Sequence, residues 1–249
     1  MRDSLHYVDH NRQIFNQYIN AINGIGEVIE FYDSDKQFPV YGFGGKVPGG
    51  LVSHCFALSQ NDNVPEVTGV NGILQVYLSA LNYYHMSGPT HFAPLINQSV
   101  SIVERAQQSK DEQRYFVLLI LTDGMINDMP QTIDAIIRAS GHPLSILIIG
   151  IGQANYLNME ILDADAGRLR NRYGKEAKRD IVQFISMRDH TGVKGDNVSL
   201  VKAVLEEIPG QVVEYYSNLK IKPMKKAPYD PHSLSHSLSL DSRERERER

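Results

Sequence analysis

Two apolar runs, residues 115–121 and 144–151, the second interrupted by Ser145 and Gly150, flank a segment that opens on Pro130 and places Ile133, Ile136 and Ile137 at helical spacing. Proline is tolerated in the first turn of a helix, and Gly141-His142-Pro143 ends the periodic pattern before the second run. A strand with one face in water alternates apolar with polar residues, whereas Leu118-Leu119-Ile120-Leu121 and Ile146-Leu147-Ile148-Ile149 do not. Both faces of such strands must be covered, as in a parallel sheet between helices. The strand–helix–strand order is a βαβ crossover, so the expected class is α/β, a mostly parallel sheet flanked by helices.

The remaining pattern agrees with that class. Ile14, Tyr18, Ile22, Ile25 and Ile29 recur at steps of three and four, which predicts an amphipathic helix over about 11–31 despite Gly24 and Gly26. Residues 38–44 and 52–58 read as two strands joined by a Gly/Pro-rich turn. Helices are expected over 70–83 and 92–107, a strand over 181–185, and a helix over 198–208, with Pro209 opening a separate one that carries Val212, Val213 and Tyr216. Beyond residue 222 the composition turns to Lys, Pro, Ser and His and closes in strict Arg/Glu alternation from 243 to 249. The expected organisation is one domain over 1–222 and a disordered low-complexity tail over 223–249.

Net charge of -4 gives no global electrostatic reason to bind nucleic acid, and no window approaches the ~20 apolar residues of a membrane span. The start of the chain lacks the apolar stretch of a secretory signal, and one cysteine, Cys55, excludes an intrachain disulfide framework or a four-cysteine zinc site. A cytoplasmic, reducing compartment is the expectation. The sequons at Asn97 and Asn197 are then chance matches.

Candidate chemistry gathers at Thr90 and Asp123. Asp123 follows an apolar strand, which places it at the carboxyl edge where open parallel sheets collect ligands, and Gly88-Pro89-Thr90 is a second loop that can converge there. Oxygen donors of this kind suit a hard cation, magnesium or calcium. By itself an Asp-Gly after a strand reads as a turn or cap. A Gly-Pro-Thr loop, a helix and an Ile-Leu-Thr-Asp-Gly strand end in that order resemble the von Willebrand factor A domain, whose second and third metal loops have this form.

The resemblance narrows further. Phe31-Tyr32-Asp33-Ser34-Asp35-Lys36-Gln37-Phe38-Pro39, Tyr41-Gly42-Phe43-Gly44, Leu118-Leu119-Ile120-Leu121-Thr122-Asp123-Gly124, Ile149-Gly150-Ile151-Gly152, Leu162-Asp163-Ala164-Asp165-Ala166-Gly167, Arg179-Asp180-Ile181-Val182-Gln183-Phe184 and Val212-Val213-Glu214-Tyr215-Tyr216 resemble the copine family, in its order, between about 4 and 222. Copines place two lipid-binding β-sandwich domains before an A domain and bind phospholipid with calcium at the plasma membrane. The resemblance implies the protein-binding half of that architecture, with intracellular protein partners meeting the metal edge through acidic segments. It also implies a first strand ending in Asp-x-Thr-x-Ser or Asp-x-Ser-x-Ser just before Ser4-Leu5-His6, where this chain has Met1-Arg2-Asp3. The expectation is an A domain truncated at its first strand, from a short isoform, a gene-model fragment or a decayed copy. Thr90 and Asp123 alone then predict weak cation binding, on the order of millimolar.

Other candidates are weaker. Asp163 and Asp165 suggest an EF-hand, but Gly167 comes one place early and Gly174 stands where a bidentate Glu is needed. Asp33 and Asp35 read as turn residues, and Cys55 beside His54 as a small core residue on a strand. No complete phosphate loop, dinucleotide fingerprint or nucleophile elbow is present, so no organic cofactor and no catalysis are expected. A ubiquitin ligase of copine-like type needs a zinc-bound RING that one cysteine cannot build. The alternative role is peripheral membrane association, through calcium-dependent phospholipid binding in a longer parent protein or through the basic segment 220–226.

Overall fold

The computed structural model describes residues 4–8, 16–108, 113–163, 167–190 and 197–224. Expectations for Asp3, for the start of the first helix at 11–15, for Asp165, for Lys225 and Lys226 and for the tail lie outside the described residues. The elements in order are α1 (Gln17–Tyr32), β1 (Gln37–Pro39), β2 (Tyr41–Gly42), β3 (Gly45–Lys46), β4 (Val52–Ser53), β5 (Phe56–Ala57), β6 (Glu66–Thr68), α2 (Gly69–Tyr83) and β7 (His85–Met86). There follow α3 (Ala93–Ala106), β8 (Phe116–Thr122), α4 (Met129–Ala139), β9 (Leu144–Gly150), α5 (Leu157–Asp163), β10 (Val182–Ser186), α6 (Met187–His190) and α7 (Asn197–Asn218).

The predicted crossover is the centre of the molecule. β8 and β10 both run parallel to β9, in the order β10-β9-β8. Side chains alternate across a strand, and the two apolar clusters divide accordingly. Ile120, Leu144, Ile146 and Ile148 pack with Phe92 just before α3, Ile96 and Val100 of α3, Ile136 of α4 and Leu162 of α5. Leu147 and Ile149 pack on the other face with Ile22 and Ile25 of α1, Val70 and Tyr77 of α2 and Leu200 and Val204 of α7. Every residue of β9 is buried, as a strand covered on both faces requires. β8 is equally apolar yet mostly half-buried, because among the described residues β9 is its one neighbour in the sheet.

The glycines inside α1 have a packing reason. A Cβ on Gly26 would stand 2.9 Å from Cγ2 of Val70, so α1 and α2 approach closely because no side chain intervenes there. Asn16 caps α1 through Oδ1, which accepts from the Ile19 amide at 2.9 Å.

Three readings are corrected. The two strands expected over 38–44 and 52–58 are broken into short pieces paired antiparallel in different sheets: β1 with β6, β2 with β5, and β3 between β4 and β7. Gly44, at φ 58°, breaks the first run, and a bend at His54 and Cys55 breaks the second. His54 and Cys55 are therefore not on a strand, and Cys55 is half-buried instead of in the core. Pro209 does not open a new helix, since α7 runs through it for 22 residues. An internal proline forfeits one helical hydrogen bond, and buried residues on both sides, Leu200 and Val204 before it and Gln211 and Tyr215 after it, hold the helix to the sheet.

Candidate functional site

Thr90 and Asp123 do come together. Asp123 is exposed, one residue beyond the end of β8, and Thr90 is half-buried in the loop between β7 and α3. A Cβ on Gly124 would stand 3.4 Å from Oγ1 of Thr90, and Thr90 and Asp123 line the same cavity.

The clasp that joins the loops uses residues the sequence did not flag. The Thr90 amide donates to Oδ1 of Asn127 at 2.7 Å, while the Thr90 carbonyl accepts from the Asn127 amide at 2.8 Å. Asp128 is buried, and its carboxylate accepts from the amides of Phe92 and Ala93, both at 3.0 Å, and from Oγ1 of Thr132 at 3.0 Å. The signal was ambiguous: Asn127-Asp128 before Met129-Pro130 is a helix-capping sequence, and the natural reading has Asp128 cap α4. Its side chain makes no cap bond to α4 and satisfies the first amides of α3 instead. One carboxylate therefore fixes the start of α3 to the loop after β8. His91, next to Thr90, adds a ring contact with His54 at 4.2 Å between centroids, which ties the β4–β5 bend to the same loop.

An aromatic and histidine wall stands behind Asp123. His6 stacks on Tyr18 with centroids 4.0 Å apart, and its Nδ1 hydrogen-bonds the Tyr77 hydroxyl at 2.9 Å. Asn16 donates to the same hydroxyl at 3.1 Å. Burial pushes the Tyr77 hydroxyl up to about 12 and lowers His6 below its ordinary value, with the nearby Asp123 charge opposing the His6 shift. Burial, followed by the Asp123 charge, raises Tyr18 well above the usual phenol range. Asp123 thus has hydroxyl groups on its inner side and solvent on its outer side.

The remaining candidates separate from this edge. Asp33 and Asp35 act as turn residues: Asp33 Oδ1 accepts from the Asp35 amide at 3.4 Å, and Asp35 Oδ1 from the Gln37 amide at 3.0 Å. Burial, reinforced by the charge of Asp62, pushes the Cys55 thiol up to about 11, so it is protonated at neutral pH and a poor nucleophile. Among the described residues there is no cluster of three or more His, Cys, Asp or Glu side chains able to hold a metal ion. No helix among them is long and apolar enough to cross a membrane.

Comparison with known proteins settles the family. The copine family matches residues 4–224. The chain belongs to the copine family. Protein BONZAI 1 of Arabidopsis thaliana is 46% identical over 223 residues, 89% of this chain and 38% of the relative. Protein BONZAI 2 of the same plant is 44% identical over 227 residues, 91% of this chain and 38% of the relative. Copine-A of Dictyostelium discoideum is 45% identical over 222 residues, 89% of this chain and 36% of the relative. The chain therefore spans under two fifths of the length of these relatives, and its helix-flanked parallel sheet is the fold of its copine-family domain.

Proposed function

We propose that this copine domain is a non-enzymatic protein-interaction module whose binding edge is the paired loop of Thr90 and Asp123, with acidic segments of intracellular proteins as its partners. The observation that carries the reading is the clasp of Thr90 by Asn127 and of α3 by Asp128. That clasp brings a hydroxyl and a carboxylate from separate loops to one edge. Two oxygen donors fit a hard cation only as part of its shell, because calcium takes six to eight oxygens and magnesium six. Thr90 Oγ1 and a carboxylate oxygen of Asp123 would hold such an ion, and water would complete its shell. When bound, the ion supplies positive charge that attracts a partner's carboxylate; the chain's own residues position the edge and keep Asp123 open to solvent.

Calorimetric titration of the purified protein with magnesium and with calcium tests this. Binding on the order of millimolar that is lost in Asp123→Ala is expected. No heat beyond that of the variant would overturn the metal edge, and micromolar affinity would overturn its weakness.

A second reading rests on the segment after α7. Lys220 and Lys222 alternate there with the exposed Leu219, Ile221 and Met224, a basic and apolar mixture suited to anionic lipid at the plasma membrane. Sedimentation with phosphatidylserine vesicles that weakens as salt rises supports it, and salt-independent or absent sedimentation does not.

A further inference from the structure

The connection between α5 and β10 concentrates positive charge on a chain whose net charge is -4. From 168 to 178 it carries five cations, Arg168, Arg170, Arg172, Lys175 and Lys178, and one carboxylate, Glu176. These residues fold as a hairpin. Arg170 and Glu176 face each other in an antiparallel bridge, and the Ala177 amide donates to the Leu169 carbonyl at 2.8 Å. Side chains alternate along the two arms, so Leu169 and Ala177 are buried in the core beneath while Arg168, Arg170, Glu176 and Lys178 are exposed. At the turn, Oδ1 of Asn171 accepts from the amides of Tyr173 at 3.0 Å and Lys175 at 2.9 Å, and its side-chain nitrogen donates to Oδ1 of Asp134 on α4 at 2.7 Å. Arg172, Tyr173 and Gly174 form an exposed tip, with the Arg172 guanidinium carbon 4.8 Å from the Tyr173 ring centroid. Glu176 pairs with Arg170, and the hairpin has no carboxylate of its own for Arg168, Arg172, Lys175 or Lys178.

The hairpin precedes β10 and therefore lies at the amino edge of the parallel strands, opposite the carboxyl edge that carries Asp123. Seven-residue strands set these edges about 20 Å apart. The stretch after α7 lies at the same amino edge. Gln113, just before β8, donates to the Lys222 carbonyl at 2.7 Å and accepts from the Met224 amide at 2.9 Å. Arg179 joins the two regions: it follows the hairpin, donates to the His142 carbonyl at 2.6 Å and stands 5.1 Å from the Tyr215 ring centroid. Pro143 and Tyr215 in turn line one cavity with Ile221 and Met224.

Shape and composition select the occupant. An acidic peptide is best held between walls, whereas a protruding tip meets a flat surface. Tyr173, 73% exposed, has the apolar ring and polar hydroxyl that suit the headgroup level of a bilayer. Each Lys or Arg brought to anionic lipid adds about fivefold in affinity. We propose that the hairpin over 168–178 docks on an anionic phospholipid surface without calcium, with Tyr173 at headgroup depth and the Thr90 and Asp123 edge on the far side of the domain. The proposal shares its lipid with the second reading above but places the contact on different residues, and it uses no metal.

The chain contains no tryptophan, so Tyr173→Trp puts a single reporter at the tip. With a calcium chelator present, its emission should shift to the blue on vesicles of phosphatidylcholine mixed with phosphatidylserine and stay unchanged on phosphatidylcholine alone. Brominated lipid should quench it, and both effects should fade as salt rises. In the unsubstituted background, Arg172→Gln combined with Lys175→Gln should weaken sedimentation with the mixed vesicles roughly thirtyfold at an unchanged thermal transition. Unshifted emission, or full sedimentation of that double variant, would overturn the proposal, as would binding that requires added calcium. Lys220→Gln combined with Lys222→Gln reads the other segment separately. A loss confined to the Lys220 and Lys222 pair would overturn the hairpin and keep 219–224 as the contact; a loss confined to the Arg172 and Lys175 pair supports the hairpin and removes 219–224. Capture on immobilised polyglutamate that mixed vesicles do not compete away would overturn the lipid in favour of an acidic polypeptide. Should the double variant fail to fold, the tryptophan reporter still decides.

Discussion

Replacing Asp128 is the sharpest test of how the two loops are joined. Its carboxylate is buried and accepts from Phe92, Ala93 and Thr132, each at 3.0 Å. In Asp128→Ala the amides of Phe92 and Ala93 lose their acceptor. Leaving each of these two buried donors unsatisfied costs about 1–3 kcal/mol, and losing the hydroxyl bond to a charged acceptor adds about 1 kcal/mol, so the variant should lose roughly 3–7 kcal/mol. Asp128→Asn keeps one amide oxygen and should lose about 1–3 kcal/mol, less than alanine. Equilibrium urea unfolding reads both. At an m-value of about 3 kcal/mol per M, the alanine midpoint should fall by roughly 1–2.3 M and the asparagine midpoint by roughly 0.3–1 M, less than the alanine one. Cavity formation alone cannot give the asparagine loss, because asparagine and aspartate have nearly the same volume. An alanine variant within about 0.5 kcal/mol of the parent would refute the clasp, as would equal losses in the two variants.

Two other perturbations have defined outcomes. Arg179 is buried and donates to the carbonyls of His142 at 2.6 Å and Leu144 at 2.7 Å and to the Tyr115 hydroxyl at 2.8 Å, with the Tyr215 ring centroid 5.1 Å from its guanidinium carbon. Arg179→Met should cost about 3 kcal/mol or more in urea unfolding, and Arg179→Lys should not rescue it, since an ammonium cannot reproduce the planar fork; full rescue by lysine would contradict this. His6 has its pKa lowered by burial from 6.5, so on acidification the unfolded chain takes up the proton before the folded one. Stability from this group is intact above pH 6.5 and is lost as pH falls from there through the folded value; His54 and His142 shift in the same direction. The urea midpoint should therefore fall below pH 6.5 and His6→Asn should flatten that slope, whereas an unchanged slope would rule out His6 as a contributor.

The crossover was legible because its signal is local and doubly redundant: two continuous apolar runs and a helix bounded by Pro130 and Gly141 admit few alternatives. The same holds for Thr90 and Asp123, whose positions follow from where strands and helices end. The 37–58 region was not legible, because strands of two or three residues carry too few side chains to show a period, and their pairing depends on distant β6 and β7. Asp128 was hidden for a different reason. Capping preference reports that an acceptor is wanted near a helix start, but it does not say which helix, and here the acceptor crosses to α3. Pro209 misled because its local cost is real, while tertiary burial on both sides of it outweighs that cost.

Whether the proposed cation binds at Thr90 and Asp123 is the most direct question for the account as a whole. Titrating manganese, a paramagnetic stand-in for magnesium, into isotopically labelled protein should broaden the amide resonances of Thr90 and Gly124 first, and Asp123→Asn should abolish that broadening at the same ion concentration. Broadening centred elsewhere, or undiminished in Asp123→Asn, would contradict the assignment of the binding edge to Thr90 and Asp123.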